Sequence, residues 1–252
     1  MSPKPKHIDY KKELNSAQLE AVMFDDGPLL VIAGAGSGKT RTLTYRVARL
    51  VEAGVPPAAI LLLTFTRKAS AEMLTRACRL LDDRCGKVSG GTFHSFANAI
   101  LRRYAAECGF GSGFSIMDRA DAESLIGMVK KELGFSAKKR AFPRNQTLAN
   151  IFSRGVNKGL SVDEVVFNDY PHFASAADDL TTLFSLYSER KLQLNFVDYD
   201  DLLVYLYRLL RDRPDIRQNL SATYRFIMVD EYQDTNHLQA EILYHLADRN
   251  HN

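Results

Sequence analysis

Residues 29–40 constrain this chain more than any other stretch. An uninterrupted apolar run, Leu29-Leu30-Val31-Ile32-Ala33, gives way to Gly34-Ala35-Gly36-Ser37-Gly38 and then to Lys39-Thr40, the start of an amphipathic stretch that reaches residue 53. Such a run reads as a strand buried on both faces of a parallel sheet. The glycines permit a tight turn in which successive backbone N–H groups face inward around an anion. A helix N-terminus beyond the turn adds partial positive charge. The segment predicts a strand–loop–helix unit that cradles phosphate, with Ala33 where glycine is more usual.

The rhythm continues. Ile60-Leu61-Leu62-Leu63-Thr64 and residues 88–92 predict further strands, and residues 40–53, 68–82 and 94–107 predict helices, the first closed by Gly54-Val55-Pro56-Pro57. Strands alternating with helices indicate crossover units and an α/β sheet. The rhythm stops at Cys108-Gly109-Phe110-Gly111-Ser112-Gly113. From there the patterns are helical: 121–133, 147–158, 161–166 and 173–194, with the basic link Lys138-Lys139-Arg140-Ala141-Phe142-Pro143-Arg144 among them. A helix over 199–211, a strand at Phe226-Ile227-Met228-Val229-Asp230 and a helix over 237–247 restore the first pattern. The reading is an α/β parallel sheet in two parts, 1–110 and 197–252, around an all-helical insertion at 111–196. Arg249-Asn250-His251-Asn252 follow a helix that would ordinarily lead to another strand, so the sheet reads as incomplete and the chain as a fragment of a longer protein.

With 252 residues the chain can bury a full core without a disulfide or metal staple. No apolar run approaches a membrane span, and the charged N-terminus lacks the apolar core of a secretory signal. Three cysteines without metal spacing fit a reduced, cytoplasmic protein. The net charge of +3 is uneven: residues 1–110 hold 16 Lys+Arg and 10 Asp+Glu, whereas residues 197–252 hold 6 and 10. A basic first part suits a polyanion and an acidic last part suits a nucleotide–metal site, although solvated faces give the same counts.

The loop chemistry names its residues. Lys39 should reach the β- and γ-phosphates, and the Thr40 hydroxyl should ligate Mg²⁺. The strand at 226–230 ends in Asp230, which places a carboxylate at the carboxyl edge of the sheet, where α/β ligands bind. Asp230 would hold Mg²⁺ through water. Glu231 is placed to polarise the water attacking the γ-phosphate. A kinase has no need of that glutamate, so the pair favours hydrolysis over phosphoryl transfer to a substrate.

Asp230-Glu231-Tyr232-Gln233-Asp234-Thr235-Asn236 resembles motif II of superfamily 1A DNA helicases of the UvrD/Rep/PcrA type. The resemblance spans the chain. Leu14-Asn15-Ser16-Ala17-Gln18-Leu19-Glu20-Ala21-Val22 is similar to the Q motif, and Ala33 to Arg41 is similar to motif I. Thr64-Phe65-Thr66-Arg67-Lys68-Ala69-Ser70-Ala71-Glu72-Met73 resembles motif Ia, and Gly91-Thr92-Phe93-His94-Ser95-Phe96 motif Ib. Phe196-Val197-Asp198-Tyr199-Asp200-Asp201-Leu202-Leu203 resembles the segment that re-enters the first motor domain.

The resemblance implies a RecA-like P-loop NTPase motor domain, 1A, interrupted by a helical domain, 1B, and cut after motif II. It implies an ATP- and Mg²⁺-dependent 3′–5′ helicase acting on single-stranded DNA and single-strand/duplex junctions. Gln18 would read the adenine edge, Arg41 would sit against the nucleotide, and Ala33, Gly34, Ala35, Gly36, Ser37, Gly38, Lys39 and Thr40 would wrap the phosphates. Phe65, Thr66, Arg67, Thr92 and His94 would line the DNA track, with arginine at 67 where the family usually has asparagine. Phe65 stacking on bases competes with core packing, for which Phe96 is better suited, and His94 also fits a structural histidine. Motifs III to VI and the second motor domain are absent, so a nearly inactive monomer is expected. A helicase–nuclease and a non-motor single-strand-binding module are the alternatives.

Overall fold

The computed structural model describes residues 7–25, 27–111, 113–135 and 142–247. The 249–252 tail and part of the 138–144 link lie outside the described residues. The chain forms two compact units. One comprises Met1–Phe96, Leu210–Thr235 and Leu243–Asn252, the other Ala97–Leu209 and Asn236–Ile242. The predicted boundaries at 110 and 196 fall inside the second unit.

The first unit is built on a parallel sheet of three strands, β1 (Ile60–Leu63), β2 (Ser89–Gly91) and β5 (Phe226–Val229), in the order β2-β1-β5. Leu62 lies opposite Gly90 on one side and Met228 on the other. Every β1 side chain is at most 1% exposed, as an apolar run inside a parallel sheet requires. Helices α3 (Lys39–Glu52) and α4 (Arg67–Leu80) follow the loop and β1. Val47, Leu50 and Val51 of α3 and Met73 and Ala77 of α4 share one core with Ile60, Leu62 and Met228. Burying each such aliphatic side chain contributes about 1.5–3 kcal/mol. Before the loop, α1 (Tyr10–Glu13) and α2 (Ser16–Met23) form. Asn15 caps α2 reciprocally with Gln18, a local pairing that fixes where that helix begins.

Residues 29–33 depart from expectation. They form no strand, and Leu30 and Ile32 are 68% and 90% exposed. A strand needs a neighbour for its N–H and C=O groups. In the described sheet β1 takes both β2 and β5, and no described strand pairs with 29–33.

The second unit has a helical core from α6 (Arg119–Glu132), α7 (Asn145–Lys158), α8 (Val162–Asp169) and α9 (Ala177–Gln193). Ile126, Leu148, Ile151, Val165, Leu180 and Leu183 meet there with almost no exposure. The insertion is not all-helical. Strands β3 (Ser115–Ile116) and β4 (Phe196–Val197) pair in parallel at its two ends. Two residues are too few to show a period, which is why the sequence pattern conceals them. Within the unit, α5 (Phe93–Arg103) contributes buried Ala97, Ile100 and Leu101, and α10 (Tyr199–Asp212) contributes Leu202, Leu203 and Leu206. Two further helices are α11 (Pro214–Thr223), begun by Pro214 at its first turn, and α12 (His237–Ala247).

Candidate active site

The parallel sheet explains why the predicted residues gather. Each strand hands the chain to a loop at its carboxyl end. Asp230, one residue beyond β5, donates its N–H to the Leu63 carbonyl at 2.9 Å, and Thr64 does the same to Gly91. Residues 64–67, 92–94 and 230–231 therefore leave the same edge of the sheet, where ligands of open α/β sheets bind.

The loop itself turns tightly. Ser37 N–H and Oγ both donate to the Gly34 carbonyl, at 3.3 and 2.7 Å. Gly36 and Gly38 have φ of 75° and 89°, a conformation that favours glycine. Gly38 is the N-cap of α3 and supplies no side-chain cap, so that residue offers the first N–H groups of the helix no competitor to an anion. Ala33 is partly buried and Gly34, Ala35, Gly36 and Ser37 are exposed, leaving the loop open to a ligand.

Lys39 Nζ lies 3.6 Å from Glu231 Oε2, bringing together the two predicted catalytic residues from positions far apart in the chain. Glu231 has φ 52° and ψ 47°, one of two non-glycine residues with positive φ among those described. The short turn Tyr232–Asp234 follows, closed by Asp234 N–H donating to the Glu231 carbonyl at 2.9 Å. The Gln233 amide donates to Glu231 Oε2 at 2.5 Å. That bond, and secondarily Lys39, holds the Glu231 carboxyl below its ordinary range. Asp230 shifts the other way: burial raises it, the Glu231 charge adds to this, and Lys39 opposes.

Thr40 and Asp230 offer hard oxygen donors of the kind Mg²⁺ prefers. No group of three or more His, Cys, Asp or Glu suited to a metal occurs among the described residues. That donor set fits an ion that takes most of its shell from phosphates and water, and does not fit an all-protein cage.

Gln18 and Arg41 stand close to the loop in different ways. Gln18 Nε2 donates to the Ser37 carbonyl at 3.0 Å, so its carboxamide rests on the loop. Arg41 donates to the Glu13 carbonyl at 2.8 Å and to Glu13 Oε2 at 3.1 Å, and stacks over Tyr45. Sequence reasoning did not foresee Glu13 as its partner.

On the expected DNA track, Phe65 is 55% exposed, and Thr66 and Arg67 are exposed beside it. An aromatic ring that open is not core, whereas Phe96 is buried against Tyr224. Two of the hydroxyls carry structural duties. Thr66 Oγ1 accepts from Ala69 N–H as the cap of α4, and Thr92 Oγ1 accepts from Ser95 N–H at the start of α5. His94 is partly buried on the first turn of α5.

Cys78, Cys85 and Cys108 are free, and burial pushes the Cys85 and Cys108 thiols up to about 11, away from thiolate. No helix among the described residues is long and apolar enough to cross a membrane. Within the second unit the sequence reading missed a polar chain. Asn236 Nδ2 donates to Asn157 Oδ1 at 2.6 Å, and Asn157 Nδ2 donates to Asp200 Oδ1 at 2.8 Å.

Fold and site together define an α/β protein with an open glycine-rich loop whose Lys39 meets an acidic pair at a sheet edge. The UvrD/REP helicase N-terminal domain family matches residues 14–252, and the chain belongs to that family. It is 40% identical to the ATP-dependent DNA helicase UvrD1 of Mycobacterium leprae (strain TN), over 90% of this chain and 29% of that protein. It is 37% identical to the ATP-dependent DNA helicase PcrA of Bacillus subtilis (strain 168), over 94% of this chain and 31% of that protein. The chain thus spans about three-tenths of the length of the curated relatives it matches.

Proposed function

We propose that the chain is the N-terminal part of an ATP-dependent DNA helicase, in which ATP hydrolysis drives 3′–5′ translocation on single-stranded DNA and duplex unwinding. The observation that carries this reading is the approach of Lys39 to Glu231 over an open glycine-rich loop. The names of the relatives support it. Residues 1–110 and 197–252 form a RecA-like motor domain around the helical insertion 111–196. A second motor domain supplies the cations that complete catalysis, so these residues alone turn over slowly. The protein works in the cytoplasm as a monomer.

In the reaction, the loop N–H groups and Lys39 bind the phosphates, and Gln18 and Arg41 serve the base and its surroundings. Thr40 and Asp230 hold Mg²⁺, which neutralises phosphate charge when bound. Glu231 takes a proton from the water whose oxygen attacks the γ-phosphorus. The bond to the β–γ bridging oxygen breaks, and ADP leaves with that electron pair. Phe65 stacks on bases without sequence preference, while Thr66, Arg67, Thr92 and His94 meet the backbone.

Titrating a fluorescent ATP analogue in the presence of Mg²⁺ tests the reading. Weak saturable binding that Lys39→Ala abolishes is the expected result. Binding unchanged in that variant would overturn it.

A further inference from the structure

We propose that Gln233 is a positioning residue for Glu231, an inference that rests on the nucleotide-hydrolysing reading above. Its amide holds carboxylate oxygen Oε2, so that Oε1 stays turned to water once nucleotide phosphates draw Lys39 away.

The geometry carries the argument. Among the described residues two side chains meet the Glu231 carboxylate, both at the same oxygen: Gln233 Nε2 at 2.5 Å and Lys39 Nζ at 3.6 Å. The lysine contact is longer than the 2.7–2.9 Å typical of a charge-assisted bond, and both side chains are about a third exposed. A polyphosphate entering the loop offers Lys39 several charges against one carboxylate. The lysine then leaves, and Gln233 is the contact that persists.

The backbone explains why a residue two positions on can reach back. Glu231 sits in the left-handed region, and the next residues curl into a single tight turn. Asp234 N–H closes that turn on the Glu231 carbonyl, and Thr235 fastens it by two bonds to the Tyr232 carbonyl, N–H at 3.1 Å and Oγ1 at 2.7 Å. A glutamate side chain otherwise has three free torsions. A neutral amide removes that freedom without competing for phosphate, which a lysine or arginine at 233 would do.

The test uses the full-length protein with single-stranded DNA. Gln233→Met keeps the side-chain length and removes the donor. kcat should fall about tenfold, the lower end of what a hydrogen bond to a carboxylate is worth as a rate. KM and the affinity for a non-hydrolysable ATP analogue should stay within twofold. In a Glu231→Gln background, Gln233→Met should change the single-turnover rate no further, because the two act as one unit. Unchanged kcat, a parallel loss of nucleotide affinity, or an equal fold-loss in both backgrounds would each overturn the inference. Lys39→Ala runs alongside: if it leaves analogue binding intact, the nucleotide-site reading itself fails, whereas its loss of binding beside an indifferent Gln233→Met sinks only the role of Gln233.

Discussion

Lys39 in the first unit and Lys191 in the second both face carboxylates. Lys191 is 5% exposed and bonds Asp198 and Asp201 at 2.6 and 2.7 Å. Tyr187 donates to Asp198 at 2.9 Å and lies beneath the ammonium. Lys39 is 31% exposed and stands 3.6 Å from one carboxylate. Both carry a single positive charge on the same kind of side chain. Burial decides what each does. A buried ion that lost its partners would be stranded at a cost of several kcal/mol, so the Lys191 cluster stays as it is. A half-wet pair at long range is worth little, so Lys39 is free to exchange its carboxylate for a phosphate.

The comparison breaks most visibly at Lys191. Lys191→Ala leaves Asp198 and Asp201 buried without a counterion and should cost about 3–5 kcal/mol of stability, read as a lowered midpoint in urea unfolding. A loss below about 1 kcal/mol, the range of exposed pairs, would erase the contrast.

A pH series sharpens it. Burial, with Asp198 nearby, pushes the Asp201 carboxyl up to about 6. Its unfolded value is about 3.9. Between these values the folded chain holds a proton that the unfolded chain has released, so stability falls as pH rises from about 4 to about 6, by at most about 1.4 kcal/mol per unit. Burial pushes Asp198 up, but Lys191 and the hydrogen bonds from the Asp201 N–H and Tyr187 together hold it low, so its contribution disappears only below that window. Asp201→Asn, which cannot titrate, should flatten the slope; a slope that persists in this variant assigns it to another group.

The smallest effect on stability belongs to Lys39. Lys39→Ala should shift the urea midpoint by no more than about 1 kcal/mol equivalent, even though nucleotide binding is lost. A large shift would make Lys39 a structural residue like Lys191.

Helices α3, α4 and α10 were legible because each carries a clean period over many residues, and strand β1 because its four residues form an uninterrupted apolar run. The convergence of Lys39 and Glu231 was legible from the glycine-rich loop that ends in Lys39 and from the acidic pair that follows β5, although the apolar run before the loop forms no strand. Residues 29–33 misled because apolarity records the capacity to be a strand, whereas pairing needs a neighbour that local sequence does not specify. Lys191 was missed because a lysine on a long helix reads as solvated. One signal was available: Asp198 and Asp201 cap each other reciprocally through backbone N–H groups at 2.9 Å, the spacing of a helix start. Neither the left-handed turn at Glu231 nor the Asn157–Asp200 bond leaves a trace in local pattern.

The two-residue ladder between β3 and β4 has a kinetic consequence. It ties Ser115 to Phe196 and Ile116 to Val197, closing a loop of about eighty residues. Bringing such ends together costs roughly 4 kcal/mol in chain entropy by the logarithmic loop law, more than so short a ladder returns by itself. The ladder therefore cannot nucleate folding of its unit. Helices α6 to α9 must condense first on contacts between near neighbours in sequence, and the strands then close behind them like a clasp, among the last elements to form and the first to open.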